Sequence, residues 1–240
     1  MRVAQPEKRR GSQKWIQRAV NERWESLEQP ILAALGRGAA LSWRSPLQAD
    51  DFAEYRDAAY LNKIGHPELV GELAVFWPAR GPQWDALGRS LAGDVLLVEA
   101  KAHIDELCSS PTAAGPIARA QIEAALESVA TRLGANSHRA AWSQHFYQLA
   151  NRLAHLDFLR QRGVTAWLVL VDFVGDADVG GPSSAEVWEA AYAVAAHVMG
   201  LPRRHPLEPY VIHVCPDVRD HIGSAAAEAG QRAPCALGAR

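Results

Sequence analysis

Residues 84–103 read WDALGRSLAGDVLLVEAKAH, from Trp84 to His103. The apolar run Val95-Leu96-Leu97-Val98 follows a glycine-bounded turn and has the continuous hydrophobicity of a strand buried on both faces. Side chains alternate faces along a strand, so Glu99 and Lys101 fall on one side and Ala100 on the other. Asp85 follows a Gly81-Pro82 turn signal. If residues 84–87 pair as a hairpin with residues 95–102, Asp85 is carried to the same end of the sheet. Two carboxylates and a lysine then surround one point.

Two carboxylates offer oxygen donors to a hard cation, Mg²⁺ or Mn²⁺, which keeps several waters and takes a phosphate oxygen as a further ligand. A neighbouring lysine orients or deprotonates an attacking water, or stabilises charge developing in the transition state. Such a cluster suits metal-assisted phosphodiester hydrolysis. Here the sequence resembles the PD-(D/E)XK nuclease superfamily, whose signature is an Asp on one strand and an (Asp/Glu)-x-Lys on the next. Asp85, Glu99 and Lys101 match it one for one, and Trp84 stands in place of the proline.

The resemblance implies an α/β fold with a restriction-endonuclease-like αβββαβ core, a mixed sheet flanked by helices, and an extra N-terminal helix. It implies a metal-dependent nuclease acting on nucleic acid, above all DNA, with Asp85 and Glu99 as metal ligands and Lys101 positioning the water. It further implies an upstream glutamate that completes the metal shell. Glu54, Glu68 and Glu72 are the candidates, and Glu72, nearest to Asp85, is the choice. A polar helix after the Glu-x-Lys strand would touch the scissile strand through Gln148 and Arg152. His103, two residues beyond Lys101, shares its face if the strand runs on, as a contact to substrate or water.

Along the rest of the chain, Trp15, Ile16, Ala19, Val20, Trp24 and Leu27 recur at helical spacing, predicting one helix over residues 12–35 that Gly36 ends. A second helix is expected over 47–61, and residues 67–77 read as a helix extending into a strand. Helices follow over 117–133, 142–161 and 185–199, with strands over 166–173 and 210–215. In the helix over 142–161, Phe146, Leu149, Leu153, Leu156 and Leu159 form the apolar stripe, opposite Gln144, Gln148, Asn151, Arg152 and His155. The expected division is a basic arm and helix over 1–45, a nuclease-like core over 46–222, and a disordered tail over the Ala-, Gly- and Pro-rich residues 223–240.

Composition narrows the alternatives. A net charge of −2 over 240 residues argues against a wholesale polyanion binder. Residues 1–24 nevertheless carry seven basic side chains against two acidic ones, either a phosphate-gripping arm or a solvated face. Cys108, Cys215 and Cys235 lack disulfide or zinc spacing, and no stretch has the length of a membrane span or the apolar core of a signal peptide. A soluble cytoplasmic protein is expected, and a homodimer is left open. No glycine-rich nucleotide loop or Gly-x-Ser-x-Gly elbow is present. His213 and Cys215 alternate as metal ligands can, but lack companions. Two rival readings remain: a catalytically silent nucleic-acid- or protein-binding module on the same fold, and an unrelated α/β enzyme acting on a small molecule.

Overall fold

The computed structural model describes residues 1–36, 40–136 and 139–222, so the tail expected over 223–240 lies outside it. From the N-terminus the chain forms β1 (Arg2–Val3), α1 (Gly11–Asn21), α2 (Glu25–Leu35), β2 (Leu41–Ser45), β3 (Glu54–Tyr55), α3 (Ala58–Ile64) and α4 (Val70–Phe76). It continues through β4 (Ala86–Ser90), β5 (Val95–Lys101), α5 (Pro116–Arg132), α6 (Arg139–Gln144), α7 (Tyr147–Arg160), β6 (Ala166–Asp172), α8 (Ala185–Val198) and β7 (Val211–Val214).

All seven residues of β5 are buried, as its apolar run predicts, and β5 is the middle strand of a five-stranded sheet ordered β2-β4-β5-β6-β7. The first three strands are antiparallel; β6 runs parallel to β5, and β7 to β6. β1 and β3 pair antiparallel in a separate ribbon. The fold is therefore α/β, a mixed sheet flanked by helices. No helix among the described residues is long and apolar enough to cross a membrane.

The two faces of β5 feed two cores. Leu96, Val98 and Ala100 pack with Trp15, Ile16, Val20, Leu27 and Ile31 of α1 and α2. Val95 and Leu97 pack with Leu126 and Val129 of α5 and with Leu153 and Leu156 of α7. Burying a large apolar side chain contributes about 1.5–3 kcal/mol. Residues 1–45, expected as an arm and helix outside the core, are thus corrected: α1 and α2 are one of its two helical layers.

Four elements also differ from expectation. Residues 67–77, expected as a helix extending into a strand, are a 3₁₀ turn (Pro67–Leu69) and α4, and the next strand is β4. The helix over 12–35 is two helices, because Arg23 takes a left-handed φ of 57° and breaks the hydrogen-bond ladder. The helix expected over 47–61 is a 3₁₀ turn (Gln48–Asp50), β3 and the start of α3. The helix over 142–161 is interrupted at Phe146, whose backbone bridges Ser109 while the Ser109 hydroxyl accepts the Gln148 N–H at 2.8 Å. That pair of contacts ties the first turn of α7 to the segment leaving β5, and so sets where Gln148 and Arg152 stand.

Candidate active site

β4 stops pairing with β5 one step before the charged residues. Its last partners are Ala86 and Val98. Beyond them the chain turns toward β3, where Trp84 donates its N–H to the Tyr55 carbonyl at 3.1 Å. The backbone ladder would leave the Ala100 N–H without a partner, and Asp85 replaces it, accepting that N–H on Oδ2 at 2.8 Å. The strands part here, and Asp85, Glu99 and Lys101 line a groove of about 1300 Å³.

Glu99 and Lys101 share a face of β5, and their side chains are only 6% and 4% exposed. Lys101 Nζ donates to Glu99 Oε1 at 3.0 Å and to Gln148 Oε1 at 3.1 Å. Arg152 comes down from α7 onto the other oxygen, with Nε 2.6 Å and Nη2 2.5 Å from Glu99 Oε2. Arg152 also donates to the Gln83 carbonyl at 2.8 Å and to Asn151 Oδ1 at 2.9 Å, with its guanidinium 4.8 Å from the centre of the Trp84 ring. Trp84 therefore packs under the site. A buried carboxylate with two cations is electrostatically satisfied; either cation alone would be costly to bury.

The carboxyls respond in opposite directions. Burial works to raise the pKa of Glu99, but Arg152 and Lys101 outweigh it and hold the group ionised below its usual range. Asp85 is pushed well above the usual range by burial, and then by the negative charges of Glu99 and Glu54. Glu54, on β3, is the third carboxylate at this end of the groove. It accepts from Gln13 at 3.0 Å, from Gln5 at 3.2 Å and from Gln83, yet burial still raises its pKa.

Five of the residues expected at the site stand together: Asp85, Glu99, Lys101, Gln148 and Arg152. Glu72 does not join them. It projects outward from α4, 57% exposed and 2.6 Å from Arg162, and does not line the groove. Glu54, which pairing of Tyr55 with Trp84 brings beside Asp85, occupies that side instead. His103 lines the groove past the end of β5, with Nε2 3.4 Å from Glu106 Oε1. His155, expected on the polar face of its helix, is buried among Phe76, Trp77, Tyr60 and Trp84 and driven by burial to a pKa of about 3, a neutral packing residue. His213 is 3.8 Å from Asp172, and burial pushes the Cys215 thiol up to about 12, far from a thiolate ligand at neutral pH. Asn151, on the polar face expected of its helix, joins the site through Arg152. Gln83 is the residue the sequence reading lacks, although its place between Pro82 and Trp84, just ahead of Asp85, is a local signal.

No family model, curated protein or solved structure matches the chain. The functional reading therefore rests on this chain's own residues. Among the described residues, no group of three or more His, Cys, Asp and Glu side chains stands ready to hold a metal ion.

Proposed function

We propose that the protein is a divalent-metal-dependent nuclease, hydrolysing phosphodiester bonds in nucleic acid and foremost in DNA. The observation that carries this reading is the convergence of Asp85, Glu99 and Lys101 at the open end of the β4–β5 pair, joined by the Asp85–Ala100 hydrogen bond. Strand order supports it. An antiparallel β2-β4-β5 meander followed by a helical crossover into parallel β6 is compatible with the αβββαβ order that the resemblance implies, with β3, α3 and α4 then an insertion between β2 and β4.

The donor set fits Mg²⁺ or Mn²⁺. Asp85, whose charge is disfavoured by burial and by two neighbouring carboxylates, is a group that a divalent cation would stabilise. Fewer than three protein ligands suffice, since Mg²⁺ is commonly held by one or two carboxylates, with water and substrate phosphate completing its octahedron. Asp85 and Glu99 would hold the ion, which supplies Lewis-acid stabilisation of phosphate charge. Lys101, fixed between Glu99 and Gln148, orients the attacking water and meets the charge that develops as it adds. Gln148 keeps the ammonium aimed, and Arg152 supplies a planar pair of donors suited to a phosphate.

Supercoiled plasmid, single-stranded DNA and RNA incubated with the purified protein and Mg²⁺ or Mn²⁺ test the proposal. Lys101→Ala is expected to lower cleavage by roughly two to four orders of magnitude, the range for losing a positioned acid–base or charge-stabilising group. Lys101→Arg does not restore it, because a guanidinium holds its proton and spreads its charge in a plane. Full cleavage by Lys101→Ala overturns the mechanism. Binding of these nucleic acids without cleavage by the wild type shifts the reading to the silent binding module.

A further inference from the structure

Glu99 is a proposed metal ligand with one oxygen already filled. Two guanidinium donors of Arg152 converge on Oε2, at 2.6 Å and 2.5 Å, while Lys101 holds Oε1. A carboxylate oxygen offers about two lone-pair directions. A cation approaching Oε2 and the Arg152 guanidinium therefore compete for the same place.

We infer that Arg152 is an exchangeable counter-ion: a phosphate entering the groove takes over its guanidinium and releases Glu99 Oε2, so that nucleic acid and divalent metal bind cooperatively. The inference rests on the nuclease reading and names how that site is controlled. Three observations carry it. Arg152 lines the groove, so its guanidinium lies on the path of an entering phosphate. Its other partners are a backbone carbonyl and an amide oxygen, both neutral, and a phosphate attracts a guanidinium more strongly than either. The Trp84 ring offers a surface over which the guanidinium can shift while keeping its contact with the π face.

The exchange also explains how one cluster remains satisfied in two states. Without substrate, Arg152 and Lys101 neutralise Glu99, and no buried charge is left alone. With substrate, Arg152 pairs with the phosphate and the metal takes its place on Glu99. A metal bound first would have to expel Arg152 with no anion to receive it.

Calorimetry with Mn²⁺ tests this on the full-length protein, with and without a phosphorothioate-backbone DNA oligonucleotide that resists cleavage. Wild type is expected to bind Mn²⁺ more tightly with the oligonucleotide, by a factor within the range of about 5–150 typical of coupled sites. Linkage requires Mn²⁺ to tighten oligonucleotide binding by the same factor, which fluorescence anisotropy reads without any mutation. Arg152→Gln is expected to bind Mn²⁺ more tightly than wild type without the oligonucleotide and to gain less from adding it, keeping only the part that phosphate ligation of the ion supplies. A gain as large as the wild type's overturns the role of Arg152. Equal Mn²⁺ affinity of wild type in both conditions overturns the coupling alone. No Mn²⁺ binding by either protein in any condition overturns the metal-dependent reading and the coupling with it.

Discussion

Two clusters in this protein each set an arginine and a lysine against one carboxylate, and burial separates them. Asp50, in the 3₁₀ turn after β2, meets Arg2 at 2.9 Å and Lys63 at 2.9 Å and accepts from the Tyr55 hydroxyl. Glu99 meets Lys101 and Arg152 at comparable distances. The Arg2 side chain is 41% exposed, whereas that of Arg152 is 6% exposed. The Asp50 cluster stitches the N-terminal ribbon to the turn beneath it and is solvated enough to form cheaply. The Glu99 cluster lies where apolar side chains would be as stabilising or more so. Three charges placed on a buried strand and helix, at the point where two strands part, are what the proposed nuclease chemistry asks for, and stability alone does not require them.

The largest expected break in this comparison comes from deleting each central carboxylate. Glu99→Ala strands two buried cations and is expected to cost about 3–5 kcal/mol, the loss typical of breaking a buried ion pair. Asp50→Ala, at a half-exposed cluster, is expected to cost about 1 kcal/mol or less. Urea denaturation of the two variants measures both. Equal losses would mean that the two clusters do the same structural work.

Asp85 sharpens the contrast, because it too lies at the groove yet its charge opposes folding. Its folded pKa is raised above the unfolded value, so ionising it costs stability. That cost is absent below the unfolded value of about 4. It grows as pH rises and is complete above the folded pKa. Asp85→Asn retains an oxygen to accept the Ala100 N–H and is expected to be more stable than wild type at neutral pH, by about 0.5–2 kcal/mol, while losing cleavage. The gain is expected to shrink as pH falls toward 4, and a gain independent of pH would remove the charge argument.

Asp50 carries the opposite sign. Burial works to raise its pKa, but Tyr55, Lys63 and Arg2 together lower it to about 2. Its contribution is therefore present above the unfolded pKa and lost as pH falls toward 2. Wild type and Asp50→Asn are expected to differ by up to about 1 kcal/mol at pH 6 and to converge near pH 2, with unchanged cleavage at neutral pH. Denaturation midpoints across that range decide it.

The part of the site readable in sequence is the part that local periodicity controls. Period two along β5 places Glu99 and Lys101 on one face whatever the rest of the chain does, and the glycine turn before Val95 brings Asp85 back alongside. The apolar runs of β5 and β6 declare their burial in the same way. What could not be read locally depends on contacts far apart in the chain. Arg152 reaches Glu99 across 53 residues, at a height set by the Ser109–Gln148 bond. Closeness along the sequence points to Glu72, whereas the Tyr55–Trp84 bridge makes Glu54 the glutamate close to Asp85 in space. The missed β2 does carry a local signal: Leu41, Trp43 and Ser45 are buried in strict alternation.

The smallest expected effect concerns the N-terminal basic residues. Deleting residues 1–24 would remove Trp15, Ile16, Val20 and Trp24 from the core, so loss of nucleic-acid binding in such a truncation would report unfolding. Arg10 and Arg80 avoid that confusion, since both are exposed and both line the groove. If each contacts one phosphate of a bound duplex, replacing it with alanine leaves the fold unchanged and weakens binding a few-fold. The slope of log affinity against log salt would also become shallower by about 0.9 per side chain, since one fewer counterion is released. For single strands the change is about 0.7. Arg9, exposed on the same segment but not part of the groove lining, serves as the control. If Arg9→Ala flattens the slope as much as Arg10→Ala does, the basic segment acts as a diffuse charge and the groove is not the path of the nucleic acid.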